Sequence, residues 1–463
     1  MKNISIVLRA MALVALVALS SAVSAQVLRS GYFIDGNPLR YRLNPALKSA
    51  RGHFSLPLLG GVNVNTSGNV GLADFLYKSA DGDGLVTFMH PSVEAGDFLA
   101  SIERDNRVVL DMDLTLFSLA FHAFGGFNSV DFTFRSMTGV SLPYDMLRFM
   151  KVAGEGEYDF GNLNLHTRNY ADLSIGHSRR INGSLTVGAR MKLLLGLAYA
   201  DATFNKMNLC ANADRWEIMA RGSADVAIGG HFDIDDKGKR GAVNGYDGLS
   251  AGVHGIGFGA DLGAQYEFLD GALSGLTLSA SVNDLGFISW KGAAHAAIEP
   301  YAPYTFDGFK EIDANGDGDG LDEQWEQVAD DLEEFFTLED RGTRNVTESI
   351  GAKVNLAAEY AMPFWRRMSV GLLYTGCFDG LYSYNQAMLA LNVSPANFLD
   401  FVLSGHTGTY GAGFGALMNI HCSGFGLFVG TDCFLGKVSK QYIPLENMNT
   451  SVSFGINIAL GKE

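Results

Sequence analysis

The sharpest chemistry in this 463-residue chain lies in one acidic stretch, Asn315-Gly316-Asp317-Gly318-Asp319-Gly320-Leu321-Asp322-Glu323-Gln324-Trp325-Glu326. Its spacing fits a calcium loop. Asn315, Asp317 and Asp319 take the first, third and fifth ligand positions, and Gly320 takes the sharp turn. The Leu321 carbonyl, Glu323 and Glu326 complete the set. A hard cation such as Ca²⁺ needs six to eight oxygens, and this spacing wraps them around one point. Asn315 in place of the usual Asp removes a charge and weakens the site. The alternative is an Asp-Gly turn feeding an acidic amphipathic helix, with Trp325, Val328, Leu332, Phe335 and Phe336 on one face. The stretches Asp81–Gly84 and Asp233–Asp236 have no glutamate at the twelfth position and read as turns.

Catalytic signatures are missing. There is no nucleophile elbow, zinc-protease motif or Walker loop. His122, His166, His177 and His421 are too scattered to define a site, so the chain is not expected to be an enzyme or to require a cofactor other than a candidate Ca²⁺. The formal charge is −16, and between residues 307 and 340 fourteen acidic residues face the single basic Lys310. Such a balance excludes nucleic acid as a partner, which needs clustered Lys and Arg. The four cysteines have no metal-ligand spacing. Cys422 and Cys433 form a candidate disulfide, and the alternative places all four at apolar wall positions.

The elements that would carry these residues follow from the N-terminus and from periodicity. Lys2 and Arg9 lead into an apolar run and then Ser20-Ser21-Ala22-Val23-Ser24-Ala25, which reads as a signal peptide over 1–25 cleaved after Ala25. Beyond it, segments alternate with period two. Leu185, Val187, Ala189, Met191, Leu193 and Leu195 lie on one face, and Thr186, Gly188, Arg190 and Lys192 on the other. Arg190 and Lys192 cost too much in hydrocarbon and must face a lumen. The same pattern recurs at 256–267, 276–283, 352–360 and 451–460. The expected fold is all-β, a transmembrane antiparallel β-barrel of about 14 strands, in the outer membrane and in contact with its lipid.

The strands are expected near 107–122, 128–137, 162–177, 184–200, 214–229, 251–269, 274–290, 347–362, 367–378, 384–394, 397–407, 411–421, 423–435 and 450–461. Short turns at 269–273, 362–366, 394–397 and 422–424 fall on the periplasmic side. By the same count, the short turns at 123–127 and 179–183 fall outside, against the usual asymmetry. Residues 26–70 are expected as an N-terminal plug, 71–463 as the barrel, and 291–346 as an acidic loop insertion.

Asn44-Pro45-Ala46, soon after the cleavage site, resembles the plug segment of FadL-type fatty-acid transporters and the related PorV-type barrels of the Bacteroidetes. Arg42–Ala46, Gly52–Pro57, Asp74–Tyr77 and Ser281–Trp290 together resemble a large uncharacterised Bacteroidetes outer-membrane family. The FadL resemblance implies fourteen strands, a hatch and passage of a hydrophobic small molecule. The PorV resemblance implies the alternative, a docking scaffold for exported proteins with the acidic insertion as contact surface.

Overall fold

A computed structural model describes residues 28–460, except 56, 58, 80–83, 153, 213–214, 235–240, 299–303, 307–336 and 435–448. Fourteen antiparallel strands close into one ring. They are β1 (Gly52–Ser55 and Val62–Gly68), β2 (Asp105–Ala123), β3 (Gly126–Pro143), β4 (Leu163–Arg180), β5 (Leu185–Ala211), β6 (Trp216–Ala227 and Gly255–Glu267) and β7 (Leu276–Ile298). The second half is β8 (Glu339–Ser349 and Ala352–Ala361), β9 (Met368–Phe378), β10 (Tyr384–Ala396), β11 (Leu399–Gly408), β12 (Gly411–His421), β13 (Phe425–Thr431) and β14 (Thr450–Leu460). Both pieces of β1 pair with β14 as well as with β2, so the sheet has no open seam there.

The period-two pattern becomes two environments. On β5, Met191 and Val187 are exposed while Arg190 and Lys192 are buried. On β14, Val452, Phe454, Ile456 and Ile458 point outward while Ser451, Ser453 and Asn457 are buried. A ring of strands with an apolar outside and a polar inside is the solution hydrocarbon imposes, because every backbone group must be paired within the sheet. No helix among the described residues is long and apolar enough to cross a membrane.

The strand count agrees with the pattern, but two of its members differ. Residues 52–68, expected inside the plug, form wall strand β1, so the luminal segment ends near residue 51 and not 70. The stretches 214–229 and 251–269, read as two strands, are one strand, β6. Both pieces lie between β5 and β7, interrupted by residues 228–254. Merging the two pieces of β6 moves the turns at 123–127 and 179–183 to the end that carries the other short turns, and β1 restores the even count. All long connections then lie at the opposite end, which is the asymmetry of outer-membrane barrels.

The interruption of β6 folds back as a hairpin of His231–Ile234 and Val243–Asp247. Its Phe232 packs on Ala224, Ala294 and Ala296. These alanines alternate with Asp225 and His295, which pair inside the lumen, so the hairpin covers the outer wall. Small outward residues leave room for protein where leucines elsewhere face lipid. Residues 70–102 build a second packed unit at the same end, with Phe98 stacked on Phe88 (4.4 Å between ring centroids) and Leu147 against them.

Candidate functional site

Residues 28–51 run inside the ring, held through two short 3-10 turns, Arg29–Phe33 and Arg40–Arg42. Asn44-Pro45-Ala46 forms a tight turn in which the Ala46 amide donates to Asn44 Oδ1 (3.0 Å) and the Leu47 amide to the Asn44 carbonyl (2.9 Å). Asn44 Nδ2 donates to the Tyr32 hydroxyl (3.0 Å) and the Ala280 carbonyl of β7 (3.3 Å). The turn fits because two wall residues lack a side chain. A Cβ on Gly188 would collide with the Pro45 carbonyl, and one on Gly263 with the Asn44 side-chain oxygen. One residue earlier, the Leu43 carbonyl accepts three bonds, from Ser281 Oγ (2.9 Å), Asn283 Nδ2 (2.5 Å) and Asn355 Nδ2 (2.9 Å).

The wall meets this segment with two chemistries. On β2 to β7 it is ionic. Arg42 donates to Asp131 (2.8 Å) and Thr115 (2.9 Å), and the Tyr41 hydroxyl donates to Asp131 (2.6 Å). The network continues through Arg190 to Asp131 (2.9 Å) and Asp261 (3.0 Å), and through Lys192 to Asp261 (2.7 Å) and Asp284 (2.5 Å). Burial disfavours the charge on Arg42, but the carboxylate of Asp131, with Tyr41 and Asp113, outweighs it and holds the guanidinium above its ordinary pKa. On β8 to β13 the wall offers an apolar patch, set among polar residues such as Asn355, Asn392 and Asn419. Tyr32, Phe33, Leu39 and Leu43 pack with Leu373, Met388, Val402, Leu417 and Phe428 in one cluster.

Toward the other end, a short connection between β9 and β10 reaches across to β3 and β4. Asp379 makes a two-pronged ion pair with Arg168 (3.1 and 2.5 Å), and the Tyr382 hydroxyl donates to Asn164 (2.5 Å). The Tyr382 ring lies over Gly139, where a Cβ would collide with it. Between this strap and the luminal segment sits a chamber with Arg29, Arg42 and Leu43 as its floor. Below the segment, a vestibule touched by Asp35, Glu359, Arg366 and Asp400 opens toward the turn end.

Arg190 and Lys192 were legible as luminal from their parity. Tyr41, Arg42, Asp131, Arg168 and Tyr382 were not, since nothing local marks a residue whose partner is far along the chain. The expected calcium ligands Asn315, Asp317, Asp319, Leu321, Glu323 and Glu326 lie outside the described residues. Among the described residues no cluster of three His, Cys, Asp or Glu could hold a metal. No disulfide joins Cys422 to Cys433, the candidate pair, and none engages Cys210 or Cys377. His53 Nε2 lies 3.0 Å from Ser118 Oγ, but among the described residues His53 Nδ1 has no hydrogen-bond partner and no acid orients that imidazole.

A closed fourteen-strand ring with an apolar outer belt, a polar lumen and its own N-terminal segment inside defines an outer-membrane β-barrel. More particularly, residues 45–432 match DUF5723, a family of unknown function, and the chain belongs to it. No curated protein matches its sequence. Several solved structures are similar in shape at low identity. A FadL homologue of Pseudomonas aeruginosa is 12% identical, with 95% of this chain and 98% of that one covered and a TM-score of 0.41. The toluene transporter TodX of Pseudomonas putida is 10% identical, with 94% of each chain covered and a TM-score of 0.36. The translocator domain of the autotransporter NalP from Neisseria meningitidis is 8% identical, with 95% and 100% covered and a TM-score of 0.34.

Proposed function

We propose that this protein is a solute channel of the outer membrane that its own N-terminal segment closes. The observation that carries this reading is the position of residues 28–51: chamber on one side, vestibule on the other, and the segment between them. Its docking is built from contacts that can be remade. Hydrogen bonds to the Leu43 carbonyl and the glycine-lined seat of Asn44 and Pro45 hold it without a covalent tie.

The hydrophobic solute implied by the FadL resemblance has a surface to use only after the segment moves. The apolar luminal side chains, Leu373, Met388, Val402, Leu417 and Phe428, are covered by the segment itself. The scaffold reading drew on the acidic insertion, whose residues 307–336 lie outside the described ones, and no other observation favours it.

Planar-bilayer conductance tests the channel. The intact protein is expected to give small, rare openings. Deletion of residues 28–50 should give steady steps larger by about tenfold or more, and Asn44→Ala should raise the opening frequency without changing the step. A deletion variant that assembles as a barrel yet conducts no better than the bare bilayer overturns the reading.

A further inference from the structure

The ionic half of the lumen is matched pair by pair, and the chamber holds what is left over. Arg135 spans Asp284 (2.7 Å), Asp172 (3.4 Å) and Asp113 (3.6 Å). Arg168 is bound to Asp379, and Arg42 to Asp131. Two charges in the chamber wall stand apart from this matching. Lys353 on β8 reaches only the second oxygen of Asp284, at 3.7 Å, while the first oxygen already serves Arg135 and Lys192. Asp111 on β2 has the same parity as Asp113 and lines the same chamber. Its carboxylate has no hydrogen-bond or ion-pair partner among the described residues.

A charge taken out of bulk water without a partner is costly, so such groups are met by ordered water or by a ligand of opposite sign. Here both signs face one compartment, and Asp111 meets the opposite charges of Lys353, Arg168 and Arg29 only across it, beyond ion-pair distance. A singly charged ligand would answer one and leave the other, and a hydrocarbon would strip water from both. The chamber measures about 80 Å³. At about 10–15 Å³ per water-sized group it takes on the order of half a dozen, the heavy-atom count of alanine.

We propose that the chamber binds a small zwitterion carrying a primary ammonium and a carboxylate, a free amino acid of about the size of alanine. The ammonium lies against Asp111 and the carboxylate against Lys353. This deepens the channel reading by naming its solute class, and it rests on that reading for its sense, while its test measures no passage.

The test is calorimetric titration of the full chain in detergent with alanine, alanylalanine, propionate, propylamine and toluene. Alanine should bind at least about tenfold more tightly than propionate and propylamine, and more tightly than alanylalanine, which exceeds the chamber. Asp111→Asn should weaken that binding about tenfold and leave propionate unchanged within about twofold. Lys353→Met should weaken it similarly and leave propylamine unchanged. Because Asp111 has no hydrogen-bond or ion-pair partner among the described residues, its variant should keep the heat-modifiable gel mobility of a folded barrel. Equal binding of alanine, propionate and propylamine overturns the proposal, as does tightest binding of toluene, or a zwitterion affinity indifferent to Asp111→Asn. If the deletion of 28–50 opens a pore while alanine does not bind, the channel stands and the zwitterion falls.

Discussion

The two halves of the luminal wall hold the same segment by opposite means. From β2 to β7 the wall presents Asp131, Arg190, Lys192 and Asp261, each almost fully buried and each ion-paired. From β8 to β13 it presents Leu373, Met388, Val402, Leu417 and Phe428. Ion pairs are directional and leave a large penalty when one partner is lost. Apolar packing is graded and tolerates sliding. The ionic half therefore fixes where the segment sits, and the apolar half adds adhesion that can be given up gradually.

This contrast is open to attack at both faces. The largest effect should come from Asp131→Leu, which takes from Arg42 its close carboxylate, leaving Asp113 at 3.7 Å, and from Arg190 one of its two. A loss of about 3–5 kcal/mol is expected for one broken buried pair, read as a lower urea midpoint for barrel unfolding in detergent. If Asp131→Leu unfolds no more easily than wild type, the ionic half is not what anchors the segment. Leu373→Ala should cost about 2–3 kcal/mol, the low end for such a truncation, because a movable segment can close on the space. Its signature is early release of the segment, seen as protease cleavage within 28–51 before the ring melts.

Asn355→Ala should cost about 0.5–1.5 kcal/mol, since Ser281 and Asn283 still serve the Leu43 carbonyl. It should raise conductance slightly and leave the unfolding midpoint of the ring nearly unchanged. The smallest effect should come from salt. Raising NaCl from 0.1 to 1 M, across which the screening length falls from about 10 to 3 Å, should leave segment release almost untouched, because the pairs are buried. A strong salt dependence would mean that water reaches Asp131 freely.

How much of this was legible follows from which signals are local. Alternation is local, so β5, β7, the second piece of β8 and β14 could be read directly, and with them the luminal parity of Arg190 and Lys192. Strand β1 was not legible because it comes in pieces of four and seven residues, each short of the nine to eleven that span a membrane. Its outward residues are Phe54, Val62 and Val64, too few to stand out. The opposite error arose at β6, where the insertion of 228–254 split one strand into two convincing ones. The errors cancelled in the count and showed only in the inverted turns at 123–127 and 179–183.

At the candidate site, Asn44-Pro45-Ala46 could be singled out, but its seat could not. Gly188 and Gly263 look like ordinary strand glycines until Pro45 is seen above them. The strap of Asp379 and Tyr382 was equally hidden, because its partners Arg168 and Asn164 are more than two hundred residues away.

The pairing of Gly52 with Leu460 bears on biogenesis. Neighbours in that seam are about four hundred positions apart, so the cylinder cannot seal before nearly the whole polypeptide has been synthesised and delivered. Contacts so distant along the chain form slowly. The stretch just ahead of β1 must already be tucked within the curling sheet when the last strand arrives, because a sealed cylinder would have to admit it afterward from one end. Enclosure of the N-terminal stretch and closure of the seam are then one event.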